Sequence, residues 1–275
     1  MNNMAFFEFN NKKIFYLDEG QGEPLIILNG IMMSTQSWNY LVPTMTSILR
    51  LIRVDFLDQG QSDTCVGEKY TQDLQADVVL ALIKHLKLNK VNLFGVSYGG
   101  EVALKFAIKH SNLINKLILS NTTAHTNEWL RDIGRGWNEV GRTRNGEAYY
   151  NVTIPVIYSP LFYVNNYEWM ENRRKLLVPL FSDENFLDRM ERLVNSAESL
   201  DVRNSLDKIN CDTLIISSEY DFITPKHEQL FLKEHIKNSS YIHINDAGHG
   251  FMYEKTNKAS NGTNSICMLS FYIII

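Results

Sequence analysis

Little in this sequence belongs to a disulfide scaffold, a metal cluster or a nucleic-acid binder. Its 275 residues hold three cysteines, Cys65, Cys211 and Cys267, odd in number and without a CxxC spacing. That excludes a disulfide framework and a cysteine-ligated zinc site, and it makes a reducing, cytoplasmic compartment the expectation. Positive charge is not in surplus: 27 Lys and Arg stand against 31 Asp and Glu, a net charge of −4. A nucleic-acid partner needs a basic footprint, so a small-molecule partner is expected instead, for a monomer or homodimer. No apolar run approaches the roughly 18 residues of a membrane span. Met1–Lys13 lacks a cationic stretch followed by an apolar core, so it does not read as a signal peptide. What is present is ordinary globular material, 44% hydrophobic and 21% charged, and long enough to bury a core without staples.

Short apolar runs bounded by turn residues recur along the chain. Phe6–Phe9 and Lys13–Leu17 read as a hairpin turning at Asn10-Asn11. Leu25–Leu28, Leu51–Asp55, Val91–Val96, Lys116–Ser120 and Thr213–Ser217 read as strands covered on both faces, with Tyr241–Ile244 a weaker instance. Helical patterns lie between them. Thr71 caps a predicted helix through Lys87, with Leu74, Val78, Leu82 and Leu86 on one face. Tyr98–His110 and Lys226–Lys237 follow strands directly. The alternation predicts an α/β fold, a mostly parallel central sheet flanked by helices. Residues 124–206 break it with helical patches rich in aromatics. The expected organisation is a core of 1–123 and 207–275, interrupted by a helical cap of 124–206.

The segment richest in chemistry is Gly95-Val-Ser97-Tyr-Gly99, a G-x-S-x-G at a strand-to-helix junction. A nucleophilic serine there sits on a sharp, strained turn, and the flanking glycines let neighbouring backbones pass. The helix from Tyr98 aims N–H groups and a positive dipole end at the place where an oxyanion forms. The bare pattern arises by chance in roughly one chain in ten of this length, so its placement carries the weight.

Serine needs a base, and the base needs an orienting acid. In this strand–turn–helix setting the order is serine, acid, histidine. Asp221 follows the Thr213 strand in the stretch Ser218–Pro225, and His249 follows the last strand between Gly248 and Gly250. Of seven histidines, the others fall on predicted helices, the last strand or the cap. Glu219 and Asp246 are rival acids. Asp221 is preferred because Pro225 starts a helix and leaves Asp221 at the strand's exit. The oxyanion donors are expected to be the amides of Ile31 and Tyr98. Trp129, Trp137, Tyr158, Phe162 and Trp169 are candidate pocket residues, although cap aromatics more often form a small core of their own.

These motifs, in this order, resemble the α/β-hydrolase superfamily over roughly Lys13 to Glu254. The resemblance includes Leu28–Gly30 with Ser34 and Trp38, Asp55, Asp58-Gln-Gly60-Gln-Ser62, Glu219-Tyr-Asp221 and Gly248-His249 with Glu254 five residues on. It implies a cap-bearing serine hydrolase similar to carboxylesterases, lactonases and carbon–carbon bond hydrolases, with neither metal nor organic cofactor. The expected reaction is cleavage of a carboxylic ester, lactone or thioester of a small apolar substrate; the alternatives are hydrolysis of a carbon–carbon bond in a diketone and a non-catalytic small-ligand receptor on the same fold. Two features depart from the pattern. Asn29 replaces a common histidine, and the tail runs from a polar Lys255–Asn264 into an almost wholly apolar Ile266–Ile275.

Overall fold

A computed structural model describes residues 3–255. The atypical tail after Lys255, Cys267 included, lies outside the described residues. Eight strands form one sheet: β1 (Asn3–Phe9), β2 (Lys12–Gly20), β3 (Pro24–Leu28), β4 (Arg50–Val54), β5 (Val91–Val96), β6 (Ile114–Ser120), β7 (Asp212–Tyr220) and β8 (Ser239–Gly248). Their order is β1-β2-β4-β3-β5-β6-β7-β8. β1 and β2 pair antiparallel, as do β2 and β4. From β4 to β8 every pairing is parallel.

The local causes are readable in the residues. Asn10 and Asn11 adopt φ of 49° and 60°, the paired left-handed conformation of a tight hairpin turn. All six residues of β5 are buried, as a strand at the centre of a doubly covered sheet requires. The helices α1 (Val42–Met45), α2 (Gln72–His85), α3 (Tyr98–His110), α9 (Lys226–His235) and α10 (Phe251–Glu254) flank the sheet. Thr71 caps α2 by accepting from the Asp73 amide. Alternate strand residues feed two cores. Ile26, Leu93 and Leu117 pack with Val78 and Leu82 of α2, Val102 and Phe106 of α3, and Leu232 of α9. Ile27, Phe94 and Ile118 pack on the other face with Trp38, Leu41 and Phe251.

Two strands outrun their sequence signal. β7 continues through Glu219 and Tyr220, and β8 through Asp246 to Gly248. Their ends are polar, so apolar patterning stops early. The ladder nevertheless continues to Tyr220↔Gly248 across a register shift, with Asp246 at φ 53°. Asp221 and His249 therefore each stand directly at a strand's exit, and only the short remainder to Pro225 is loop. In the other direction, α9 stops at His235, two residues short of the expectation.

Between β6 and β7 run α4 (Glu128–Arg142), α5 (Gly146–Thr153), α6 (Pro160–Asn165), α7 (Tyr167–Phe181) and α8 (Glu184–Ala197). They share a third core, with Tyr149, Tyr150, Phe181 and Leu187 buried in it. The segment leaves and re-enters the sheet side by side. Thr126 N–H donates to Leu200 C=O at 3.0 Å and Val202 N–H to Ala124 C=O at 2.9 Å. Arg192 on α8 also reaches the buried Asp58 at 2.7 Å.

Candidate active site

β5 ends at Val96 and α3 begins at Tyr98, leaving Ser97 to make the turn with φ 53° and ψ −124°. That conformation costs a non-glycine residue about 1–3 kcal/mol, so its surroundings must impose it. Ser97 N–H donates to Ser120 C=O of β6 at 3.0 Å. Its own C=O accepts from the Gly100 and Glu101 amides at 2.8 and 3.1 Å and from Thr122 Oγ1 at 2.8 Å. The two motif glycines have steric reasons. A Cβ on Gly95 would lie 2.4 Å from Gly99 O, and one on Gly99 only 2.2 Å from Leu28 O. Serine is a favoured helix cap, yet the Ser97 hydroxyl makes no capping bond. It is left to the cavity that Ser97 lines.

Asp221 is buried at the exit of β7. Its Oδ1 accepts from the Ile223 and Thr224 amides, both at 2.9 Å, and its Oδ2 from Thr224 Oγ1 at 3.0 Å. The His249 Nδ1 lies 2.9 Å from both oxygens. With Nδ1 engaged there, Nε2 is the ring nitrogen left for other work. Of the rival acids, Glu219 is exposed and accepts from the backbone N–H of Asp246 at 2.8 Å, and Asp246 is itself exposed. His249 is fixed from behind as well. Asn121 Nδ2 donates to its C=O at 2.9 Å.

Ile31 and Tyr98 line the same cavity as Ser97 and His249. As the first residue of α3, Tyr98 has an amide without an intrahelical acceptor. The turn bearing Ile31 is held by polar groups beneath it. The buried Asn29 donates to Val54 C=O at 2.9 Å and accepts from Trp38 Nε1 at 2.7 Å. Gln59 Nε2 donates to Gly30 C=O at 2.8 Å. The asparagine that departs from the family pattern thus ties the turn to two neighbouring elements.

The cavity encloses about 160 Å³ and lies between the sheet's exits and the helical segment. Trp137 and Tyr158 line it, together with Leu130, Ile133 and Phe181. Three predicted pocket residues lie elsewhere. Trp129 is 59% exposed and donates its Nε1–H to Phe222 C=O at 3.0 Å. Phe162 and Trp169 pack on Tyr158, with centroids at 5.7 and 5.8 Å, inside the segment's own core. Sequence shows that an aromatic is present but not which helical face meets the sheet.

Three residues that the sequence reading did not assign also shape the site. Arg173 lines the cavity from α7 amid the rings of Tyr253, Trp169 and Tyr158, and its Nε is buried without a partner. Glu254 is buried, accepting from the amides of Ser159 and Gly248 at 2.9 Å and from Ser159 Oγ at 2.7 Å. It pins the His249 loop to the helical segment. Glu101 lines the cavity one turn after Ser97. Only Glu254 left a trace in sequence, in its spacing from His249. Among the described residues no group of three or more acidic, cysteine or histidine side chains could hold a metal ion. No described helix is long and apolar enough to cross a membrane.

Comparison with known proteins identifies the fold. The sequence pattern of the family described as alpha/beta hydrolase fold matches residues 23–256. The crystal structure of MGS-M2, an alpha/beta hydrolase enzyme from a Medee basin deep-sea metagenome library, is 47% identical. It superposes with a TM-score of 0.89 over 91% of this chain and 92% of that one. The 2-hydroxy-6-oxononadienedioate/2-hydroxy-6-oxononatrienedioate hydrolase 1 of Pseudomonas putida is 27% identical over 255 residues, 88% of this chain and 87% of that protein. The 2-hydroxymuconate semialdehyde hydrolase of Pseudomonas sp. (strain CF600) is 29% identical over 105 residues, 37% of either chain. Such shorter alignments span about two fifths of the relatives' length.

Proposed function

The chain belongs to the α/β-hydrolase family, and from that premise we propose that it is a serine hydrolase. Its substrate is a small carboxylic ester or close relative, cleaved through an acyl-enzyme. One observation carries the reading: His249, bonded to buried Asp221 at 2.9 Å, lines the same cavity as the strained Ser97. Ser97 Oγ attacks the acyl carbon while His249 Nε2 takes its proton. The amides of Ile31 and Tyr98 hold the oxyanion. Collapse of the adduct expels the alcohol, which leaves with the proton from His249. Water then attacks the acyl-enzyme by the same route and releases the acid. Residues 124–206 serve as the lid over this cavity. A cytoplasmic location is part of the reading and rests on the scarcity of cysteine.

Arg173 favours a second reading. A guanidinium with a buried unpartnered Nε in a mostly apolar cavity suits a substrate with a carboxylate distant from the scissile bond. The one relative above named as a hydrolase of a dioate fits cleavage of a carbon–carbon bond in such a compound. One experiment addresses both. The purified protein is treated with a fluorophosphonate, then assayed on neutral p-nitrophenyl esters, carboxylate-bearing esters and a carboxylate-bearing diketone, with Arg173→Met alongside. Phosphonylation of Ser97 with ester turnover is the expected result. A selective loss of the carboxylate-bearing substrates in Arg173→Met favours the second reading. A protein that neither labels nor turns over any of them would be a small-ligand receptor on this fold.

A further inference from the structure

Asp221 is not the only acid within electrostatic reach of His249. Glu101 follows Ser97 by four residues, and its amide closes the first turn of α3 on Ser97 C=O at 3.1 Å. That spacing puts its side chain on the face of the helix that Ser97 heads. It is 4% exposed and lines the cavity with Ser97 and His249. A carboxyl this buried is ordinarily ion-paired, but here the partner is neutral. Gln72, fully buried at the start of α2, donates its Nε2–H to Glu101 Oε2. The nearest cation on its own helix, Lys105, is spent on Asp73 at 2.7 Å.

A purely structural account makes Glu101 a bridge between α2 and α3. Glutamine would bridge as well without burying an ionisable group, so that account leaves the charge unexplained. The cavity setting gives it a use. Burial pushes the Glu101 carboxyl up to about 7, against the pull of Gln72, His249 and Lys105. The acid is therefore poised between its two forms near neutral pH, in the cavity that also holds the ring that must gain a positive charge whenever Ser97 gives up its proton. We propose that Glu101 is a positioning residue acting through His249, its ionised carboxylate holding the imidazolium formed as Ser97 attacks. The inference rests on the serine-hydrolase reading above. Several other charged and titratable groups face the pair, Arg173, Tyr158 and Tyr253 among them. Asp221 meets the ring from the exit of β7, and Lys105 and the Tyr98 hydroxyl share α3 with Glu101. Arg131, Arg135 and Glu198 line the cavity from the helical segment, the last two 3.9 Å apart.

The test compares the full-length protein with Glu101→Gln, reading two signals across pH 5–9. One is the titration of the His249 ring, followed by NMR with labelled histidine and assigned with His249→Asn. The other is the rate of fluorophosphonate labelling at Ser97. Removing the anion should lower the midpoint of the ring titration by about half a unit or more. The acid limb of labelling should move down with it, and the plateau rate above pH 8 should fall at least threefold. If Glu101→Gln does not fold, Gln72→Leu serves instead. It strips the ionised carboxylate of its donor, so Glu101 stays neutral to higher pH and the ring midpoint moves the same way. Coincident ring titrations with normal labelling would overturn the role of Glu101 and leave the triad standing. A shifted titration in a protein whose Ser97 never labels would overturn the serine-hydrolase reading and the catalytic use of the coupling with it.

Discussion

At Ser97 two demands meet in one residue. The turn wants a glycine, because φ of 53° is costly for a side chain, whereas the proposed chemistry wants a hydroxyl. Ser97→Gly should therefore abolish ester hydrolysis and phosphonate labelling yet raise stability by about 1 kcal/mol. Ser97→Ala should abolish both without the gain. Urea unfolding of the three proteins reads the difference, and an alanine variant as stable as the glycine one would contradict the strain. Asp221 offers a test of a different kind. In Asp221→Asn the Oδ1 can still accept from the Ile223 and Thr224 amides and Nδ2 can donate to Thr224 Oγ1, so the loop should persist. But Nδ2 then also faces the imidazole, forcing Nδ1 to accept and leaving the proton on Nε2. A base that already holds its proton cannot take another, so kcat should fall by about 10⁴ with little change in the unfolding midpoint. Glu219→Gln, on an exposed side chain, should do neither. Glu101 adds a pH signature. Its folded pKa is raised to about 7 by burial. Its contribution to stability is therefore full below the unfolded value and is lost as pH rises through the folded one. Urea midpoints of the wild type should drop between about pH 4.5 and 7 relative to Glu101→Gln, and parallel curves would refute it.

The turn between β5 and α3 was legible as an element because its glycines are demanded by neighbouring backbones, not by taste in sequence. A methyl group on Gly99 would sit 2.2 Å from Leu28 O, and β3 cannot retreat without opening the sheet. Gly99→Ala should thus destabilise by more than about 3 kcal/mol or leave the protein insoluble. Gly136 is the control. It lies inside α4, and a Cβ there would meet nothing within 4 Å. Gly136→Ala should stabilise by about 0.5–1 kcal/mol through helix propensity alone. Thermal melts decide, and a neutral Gly99→Ala would mean that the two backbones are not so close. The central strands were legible for a similar reason, since burial on both faces writes an unbroken apolar run. The ends of β7 and β8 were not, because ladder hydrogen bonds carry polar residues on after the apolar signal stops. Helical faces were the least legible. Trp137 and Tyr158 turn to the cavity while Trp129, Phe162 and Trp169 do not, a choice set by how α4, α6 and α7 pack on one another and on the sheet. Asn121, Arg173 and Glu101 escaped the sequence reading as well. Asn121 and Arg173 are brought to the site only by the closing of the fold, whereas Glu101 follows Ser97 by four residues but carries no motif signal of its own.

Across the whole molecule, the proposed chemistry occupies only one part of the sheet. The candidate site gathers at the exits of β3, β5, β7 and β8, where strain and buried polar groups are concentrated. The antiparallel side carries a burden of another sort. Arg53 on β4 and Glu19 on β2 form an ion pair with side chains only 2% and 6% exposed. Arg53 also donates to Thr35 C=O and to Asn39 Oδ1, each at 2.7 Å. Neither partner lines the cavity. Taking two charges out of water costs several kcal/mol per ion, so such a pair adds little net stability, yet leaving one partner alone costs about 3–5 kcal/mol. Glu19→Gln should therefore lower the unfolding temperature by several degrees or more. The kcat of the molecules that remain folded should not change. Arg53→Met should be costly by itself too, because the carboxylate of Glu19 is then stranded and the carbonyl of Thr35 loses a donor. Combined, the two substitutions should cost clearly less than their sum, since the double variant buries no unpaired charge. A double-mutant cycle in urea measures that difference. Strict additivity would mean that Glu19 and Arg53 are each solvated well enough to stand alone, and that this edge of the sheet does not depend on their pairing.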